Sequence, residues 1–215
     1  MIKKTYSTVL FDLDGCIIDS LPVWLKAFRE TFDLLGISLS DDKIISQGFH
    51  RWDQKAQELG IKDVPAFAKT LYEHFHAKYT EINLHEGFIE TIKPLTEKGV
   101  ACAIVTSTYR KTAEEILAQK GISQYFPRII AWEDTKLNKP DPDPILFAME
   151  ELNAIPQETV MIGDNEVDII AGNSAGVTSI WYYPESHVRF YPDALFKRNN
   201  PTFTITHFRE LIDLL

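Results

Sequence analysis

Cysteine is nearly missing from this chain: there are two in 215 residues, Cys16 and Cys102, far apart and with no His or Cys beside them at zinc-ligand spacing. That scarcity argues against a thiolate metal site and leaves room for at most one disulfide. Cys102 sits inside an apolar run and reads as a buried thiol, and a reduced, cytoplasmic setting is the simplest reading of such cysteine usage. Long hydrophobic runs are lacking too, so the sequence offers no transmembrane helix. The start, Met1-Ile2-Lys3-Lys4-Thr5-Tyr6, is basic but leads into no long apolar segment ending in a small-residue cleavage site. Positive charge is in deficit, with 22 Lys and Arg against 31 Asp and Glu, a formal net charge of −9. Neither nucleic acid nor an anionic membrane would be attracted to such a surface, whereas a small anion responds only to the field of its own pocket. Internal repeats and low-complexity tracts are also missing. What remains, 45% hydrophobic and 25% charged residues, is ordinary soluble globular composition, and the length suits one full domain plus a smaller module.

The chain is organised around Val9-Leu10-Phe11-Asp12-Leu13-Asp14-Gly15. An apolar run from Thr8 to Phe11, of strand composition, stops abruptly at two aspartates one residue apart. Alternation along a strand starts both carboxylates on one side, and the glycine lets the chain turn away. Two carboxylates so close repel, and holding them together needs a cation or a proton. A solvated Asp/Gly turn is the bland alternative at this point.

Beyond Ser20 the pattern changes. Leu21, Leu25, Phe28, Phe32 and Leu35 recur at helical spacing up to Gly36. Ser40 reads as the N-cap of a short helix through Ile44 and Ile45, and Trp52 to Leu59 as a further helix stopped by Gly60. Asp63 before Pro65 marks a helix entry, with Phe67, Leu71, Phe75 and Tyr79 along one buried face. Residues 21–85 therefore read as an all-helical insertion.

From Glu86 onward helices and strands alternate. Helices are expected over Phe88–Lys98, Lys111–Lys120, Pro144–Asn153 and Val167–Ala175, and strands over Val100–Val105, Arg128–Ala131, Thr159–Ile162 and Thr178–Trp181. This alternation predicts an α/β fold, a doubly wound parallel sheet with right-handed crossovers, formed by residues 1–20 and 86–215. Tyr182 to Asn200 reads as a long irregular connection, before a last strand at Phe203–Thr206 and a final helix.

A parallel sheet gathers its strand ends on one edge, where ligands bind. Four positions then coincide: Asp12 with Asp14, Thr106 with Ser107, Lys139 in the loop after the third strand, and Asp164 with Asp168 four residues on. Each has a plain alternative, since Thr106 could be an N-cap, Lys139 a solvated lysine, and Asp164 with Asp168 a capping arrangement. Together they point to one site. Carboxylates without His or Cys form a hard-oxygen set suited to Mg²⁺, and a lysine and a threonine hydroxyl beside it suit an oxyanion, phosphate above all.

In this order the stretches Asp12-Leu13-Asp14-Gly15, Thr106 after its strand, Asn138-Lys139-Pro140 and Gly163-Asp164-Asn165-Glu166-Val167-Asp168 resemble the haloacid dehalogenase superfamily, in its capped phosphatase and phosphomutase branch. Asp19-Ser20 and the run Lys139-Pro140-Asp141-Pro142-Asp143 fit as well. Cys16 stands where relatives often carry Thr, and Asn138 where Gly is common. The resemblance implies a Rossmann-like core with an inserted helical cap that closes over the pocket. It makes Asp12 the nucleophile that forms an aspartyl-phosphate, and Asp14 the acid and then base. It places Mg²⁺ on the Asp12 carboxylate, the Asp14 carbonyl and Asp164, with Asp168 behind these ligands or orienting Lys139. Thr106 and the Ser107 amide would hold phosphoryl oxygens. Arg51, in a turn that resembles a substrate-contacting stretch of some capped relatives, would meet a second anionic group, or else Arg51 and His50 are solvated helix-start residues. Nothing next to Cys16 would activate it as a nucleophile. His74, His76, His85, His187 and His207 show no ligand spacing and read as surface or packing residues.

The expected activity is Mg²⁺-dependent hydrolysis of a phosphomonoester in a small phosphorylated metabolite. A phosphomutase of the beta-phosphoglucomutase type is the nearest alternative, and a non-catalytic phosphometabolite-binding module the alternative of another class. The sequence leaves the oligomeric state open.

Overall fold

The structure is a computed structural model that describes residues 6–49, 52, 55–191 and 199–215. The chain forms two compact units, Met1–Asp19 with Asn83–Leu215, and Ser20–Ile82.

The first unit is built on six parallel strands: β1 (Thr8–Phe11), β2 (Ala101–Val105), β3 (Arg128–Ile130), β4 (Thr159–Gly163), β5 (Thr178–Tyr182) and β6 (Phe203–Ile205), in the order β3-β2-β1-β4-β5-β6. Strand β1 is central, with Phe11 in register with Ile104 on one side and Ile162 on the other. Its residues are buried throughout, as a strand covered on both faces must be. Leu10 packs with Ala103, Ile145 and Met161 on one face. On the other, the Phe11 ring meets Phe88 and Phe126 edge-on at 5.9 Å each, with Phe208 at 6.5 Å. Alternate side chains of one strand thus supply both cores.

The helices of the second and first units in chain order are α1 (Leu21–Leu34), α2 (Asp41–Lys43), α3 (Val64–His76), α4 (Phe88–Glu97), α5 (Arg110–Gln119), α6 (Asp143–Leu152), α7 (Glu166–Ser174) and α8 (Glu210–Leu214). None among the described residues is long and apolar enough to cross a membrane.

In the second unit, α1 and α3 pack through Phe28, Phe32 and Phe67, with Phe32 and Phe67 rings 5.0 Å apart. Asp63 caps α3 as expected, its Oδ1 accepting from the Ala66 amide at 2.9 Å. Ser40 likewise caps α2, accepting from the Lys43 amide. Two expectations need correction here. The described residues of 52–59 form successive turns, closed by bonds such as Gly60 N to Gln57 O at 3.1 Å, in place of a regular helix. Tyr79 lies past the end of α3, in a 3₁₀ turn (Tyr79–Glu81), because α3 stops at His76.

Where the insertion leaves and rejoins the first unit, the two chain segments run side by side. Asp19 N donates to Asn83 O, and His85 N to Ile17 O, both at 2.9 Å.

Candidate active site

Strands β2, β1 and β4 are neighbours, so their carboxyl ends bring Thr106, Asp12 and Asp164 to one edge. Strand order reverses about β1, the place where open α/β sheets bind ligands. Lys139 enters from the loop after β3. Its Nζ donates to Asp12 Oδ1 at 2.5 Å, to Asp168 Oδ1 at 2.6 Å and to the Val105 carbonyl at 2.9 Å. All three ammonium hydrogens are therefore used. The lysine side chain is only 3% exposed, which fixes it between the two carboxylates.

Asp168 does two things at once. Its Oδ1 binds Lys139, while its Oδ2 accepts from the Asn165 amide at 3.1 Å, closing a capping box at the start of α7. The two oxygens of Asp168 thus face different partners. Asp164 precedes α7 and sits at the end of β4, so the pair does not share a helical face. Even so, Asp12, Asp164 and Asp168 each offer an oxygen within 4.8 Å of the others'.

Gly15 makes the close approach possible. Its φ is +80°, and a Cβ there would lie 2.2 Å from Asp164 Oδ2. Gly163 serves in the same way, since a Cβ would meet the Asp168 carboxyl at 2.3 Å.

Three buried carboxylates face one lysine, and their electrostatics reflect the imbalance. Burial raises Asp12, Lys139 pulls it back and the Asp168 charge raises it again, leaving it at about 7. Asp164 is held well above the usual carboxylate range by burial and by the charges of Asp12 and Asp168. Burial alone would lower Lys139, but Asp12 and Asp168 outweigh it and hold the ammonium well above its ordinary value. Lys139 by itself does not neutralise the cluster. A divalent cation fits these residues: the donors are all oxygen, and Asp164 Oδ1 is buried without a hydrogen-bond partner among the described residues.

Asp14 stands apart from this cluster. Its Oδ2 accepts a 2.6 Å hydrogen bond from Thr108 Oγ1, and the Thr108 amide donates to Thr106 Oγ1 at 3.1 Å. The Thr106 hydroxyl thereby keeps its own hydrogen to donate elsewhere. Ser107 is exposed beside it. Arg51, expected to meet an anionic group, lies outside the described residues.

Two contributors escaped the sequence reading. Thr108 stood in view within Thr106-Ser107-Thr108, but nothing in the spacing aims its hydroxyl at Asp14. Tyr191 belongs to the connection read only as irregular; it is buried, and its hydroxyl donates to Asp164 Oδ2 at 2.8 Å. Its aromatic and proline company was the one available signal that Tyr191 would be buried.

Both cysteines are free, buried thiols. Burial and the Asp12 charge push Cys16 well above the ordinary thiol range, and it donates to the Ile162 carbonyl at 3.7 Å. Burial pushes Cys102 up to about 12. Neither is a thiolate nucleophile.

A sequence profile of the haloacid dehalogenase-like hydrolases matches residues 9–182. Among curated proteins, pyrophosphatase PpaX of Halalkalibacterium halodurans is 33% identical over 216 residues, covering 97% of this chain and 96% of its own. Pyrophosphatase PpaX of Oceanobacillus iheyensis is 28% identical, covering 92% and 95%. Among solved structures, a Lactobacillus plantarum protein proposed to be a phosphoglycolate phosphatase superposes with a TM-score of 0.85 at 24% identity, covering 98% of this chain and all of its own. CbbY of Rhodobacter sphaeroides, crystallised with phosphate, gives 0.79 at 21%, covering 96% of each chain.

Proposed function

We propose that this chain, which belongs to the haloacid dehalogenase-like hydrolase family, is a Mg²⁺-dependent phosphatase that works through an aspartyl-phosphate on Asp12. The observation that carries the reading is Lys139 Nζ, bound at once to Asp12 and Asp168 beside the Asp12, Asp164 and Asp168 oxygens. Asp12 and Asp164, with the Asp14 carbonyl, would hold the cation. When bound it supplies the positive charge that keeps these carboxylates ionised and offsets charge on the phosphoryl group.

The residues account for the rest. Lys139 occupies Asp12 Oδ1, so attack on phosphorus falls to Oδ2. As the Asp12 O–P bond forms, the bond to the leaving oxygen breaks, and Asp14 gives that oxygen its proton. Asp14, now a carboxylate, takes a proton from water, whose oxygen displaces Asp12 from phosphorus and releases inorganic phosphate. Thr106 and the Ser107 amide hold the phosphoryl oxygens, and Arg51 a second anionic group of the substrate. The helical unit Ser20–Ile82 serves as the cap.

For the substrate, a small phosphorylated metabolite cleaved at a phosphomonoester is one reading. The names of the PpaX relatives favour a second, the phosphoanhydride of inorganic pyrophosphate, and favour hydrolysis over a phosphomutase. Phosphate release should be measured from pyrophosphate and from a panel of phosphomonoesters, with Mg²⁺ and with a chelator. Turnover that needs Mg²⁺ and disappears in Asp12→Asn is the expected result, and the preferred substrate decides between the two. An Asp12→Asn variant that kept wild-type rates would overturn the nucleophile assignment.

A further inference from the structure

A second cluster lies in the first unit, apart from the carboxylates of the candidate active site. Asp19, His85 and His187 each offer a ligand atom within 4.8 Å of the others'. Sequence reading took both histidines for surface or packing residues, since 102 positions separate them (187 minus 85). Both are buried, His187 completely and His85 to 8% exposure.

The nitrogens are the difficulty with a packing role. A neutral imidazole has one donor and one acceptor to satisfy. Both ring nitrogens of His187 are buried with no hydrogen-bond partner among the described residues, and so is Asp19 Oδ1. Leaving such a group buried and unbound is costly unless something binds it. Edge-on packing of His187 against His85 and Tyr191 covers the ring but leaves its nitrogens unanswered.

His85 is already oriented for a ligand role. Its Nε2 lies 3.1 Å from the Gly15 carbonyl, which can only accept, so Nε2 carries the hydrogen and Nδ1 keeps its lone pair. Metal-bound histidines are held in this way, by a carbonyl on the nitrogen that does not bind. The ring spacing also fits. Two imidazoles bound to one tetrahedral ion at their usual bond length have centroids roughly 5 Å apart. Here the centroids are 5.3 Å apart, with the planes at 72°.

We propose that Asp19, His85 and His187 form a second metal site, for a borderline divalent transition ion of the Zn²⁺ class. Two imidazoles and one carboxylate select such ions over Mg²⁺, which prefers the all-oxygen cluster. The site is tied to the catalytic turn through the His85 contact with the Gly15 carbonyl. Its role is to brace that turn, and it stands whether or not the proposed phosphatase reading is right.

The test uses metal-free wild-type protein with excess Mg²⁺ to fill the carboxylate cluster, titrated with Co²⁺ as a visible stand-in for Zn²⁺. One Co²⁺ per chain, with ligand-field absorption and displacement by Zn²⁺, is expected. His187→Phe keeps an aromatic ring in place and should weaken binding at least about tenfold, whereas Asp164→Asn should retain it. X-ray absorption at the zinc edge of the wild-type protein, which requires no variant to fold, should show two imidazole ligands. Equal Co²⁺ binding by wild type and His187→Phe, loss confined to Asp164→Asn, an all-oxygen zinc shell or no binding at all would each overturn the proposal.

Discussion

The Tyr191 hydroxyl donates a 2.8 Å hydrogen bond to Asp164 Oδ2, joining a long connection to a carboxylate at the end of β4. Asp164 is otherwise ringed by negative charge, and this donor offsets part of the cost of keeping it there.

Tyr191→Phe removes the donor while keeping the ring. Partners that orient a metal ligand typically contribute 10–100-fold to metal affinity. The Mg²⁺ concentration for half-maximal activity should rise about tenfold, and the rate at saturating Mg²⁺ should stay within about threefold of wild type. An unchanged Mg²⁺ requirement would mean that Tyr191 only fills space.

Thr108→Val removes the hydroxyl that donates to Asp14 Oδ2. A misplaced general acid costs the chemical step rather than binding, so kcat should fall about 10–100-fold with KM nearly unchanged. Thr108→Ser retains the hydroxyl and should recover most of the rate. Equal losses in the two variants would trace the effect to packing instead.

Asp12 supplies a pH signature. In the cation-free protein its folded value is about 7, against an ordinary 3.8. Between those limits the folded state holds a proton that the unfolded chain has released. Stability therefore falls as pH rises through that window, by an amount on the order of a few kcal/mol. In chelator, wild type should melt increasingly below Asp12→Asn between about pH 4 and about pH 7, and Mg²⁺ should narrow the gap. A gap that ignored both pH and Mg²⁺ would contradict the charge-cluster account.

Gly15→Ala meets two obstacles, the left-handed backbone and the Asp164 carboxylate 2.2 Å from the new Cβ. Gly99 has a similar φ of +82° with no atom of the described residues within 4 Å of its Cβ position, so Gly99→Ala meets only the first. Gly99→Ala should cost roughly 1–2 kcal/mol of stability and leave activity intact. Gly15→Ala should melt lower still and lose activity at every Mg²⁺ concentration. Equal behaviour of the two in activity assays would show that Asp164 can move aside harmlessly.

The residues that carry local signals were legible in advance. Asp12 and Asp14 end a buried run, Asp63 precedes a helix face, and helices alternate with apolar strands, because backbone geometry imposes periods of two and 3.6 on side chains. That was enough for the parallel sheet and for the coincidence of Asp12, Thr106, Lys139 and Asp164 at strand ends or just beyond. The spacing could not show that Asp168 would cap α7 with one oxygen and bind Lys139 with the other, that Thr108 would reach Asp14, or that Tyr191 would return to Asp164. Nor could it show His85 and His187 meeting beside Asp19. Each of these pairings joins segments that are remote in sequence or depends on the exact turn of a side chain. Hydrogen bonds act over about 3 Å. Only the packed sheet, with β1 between β2 and β4, brings such atoms within that reach.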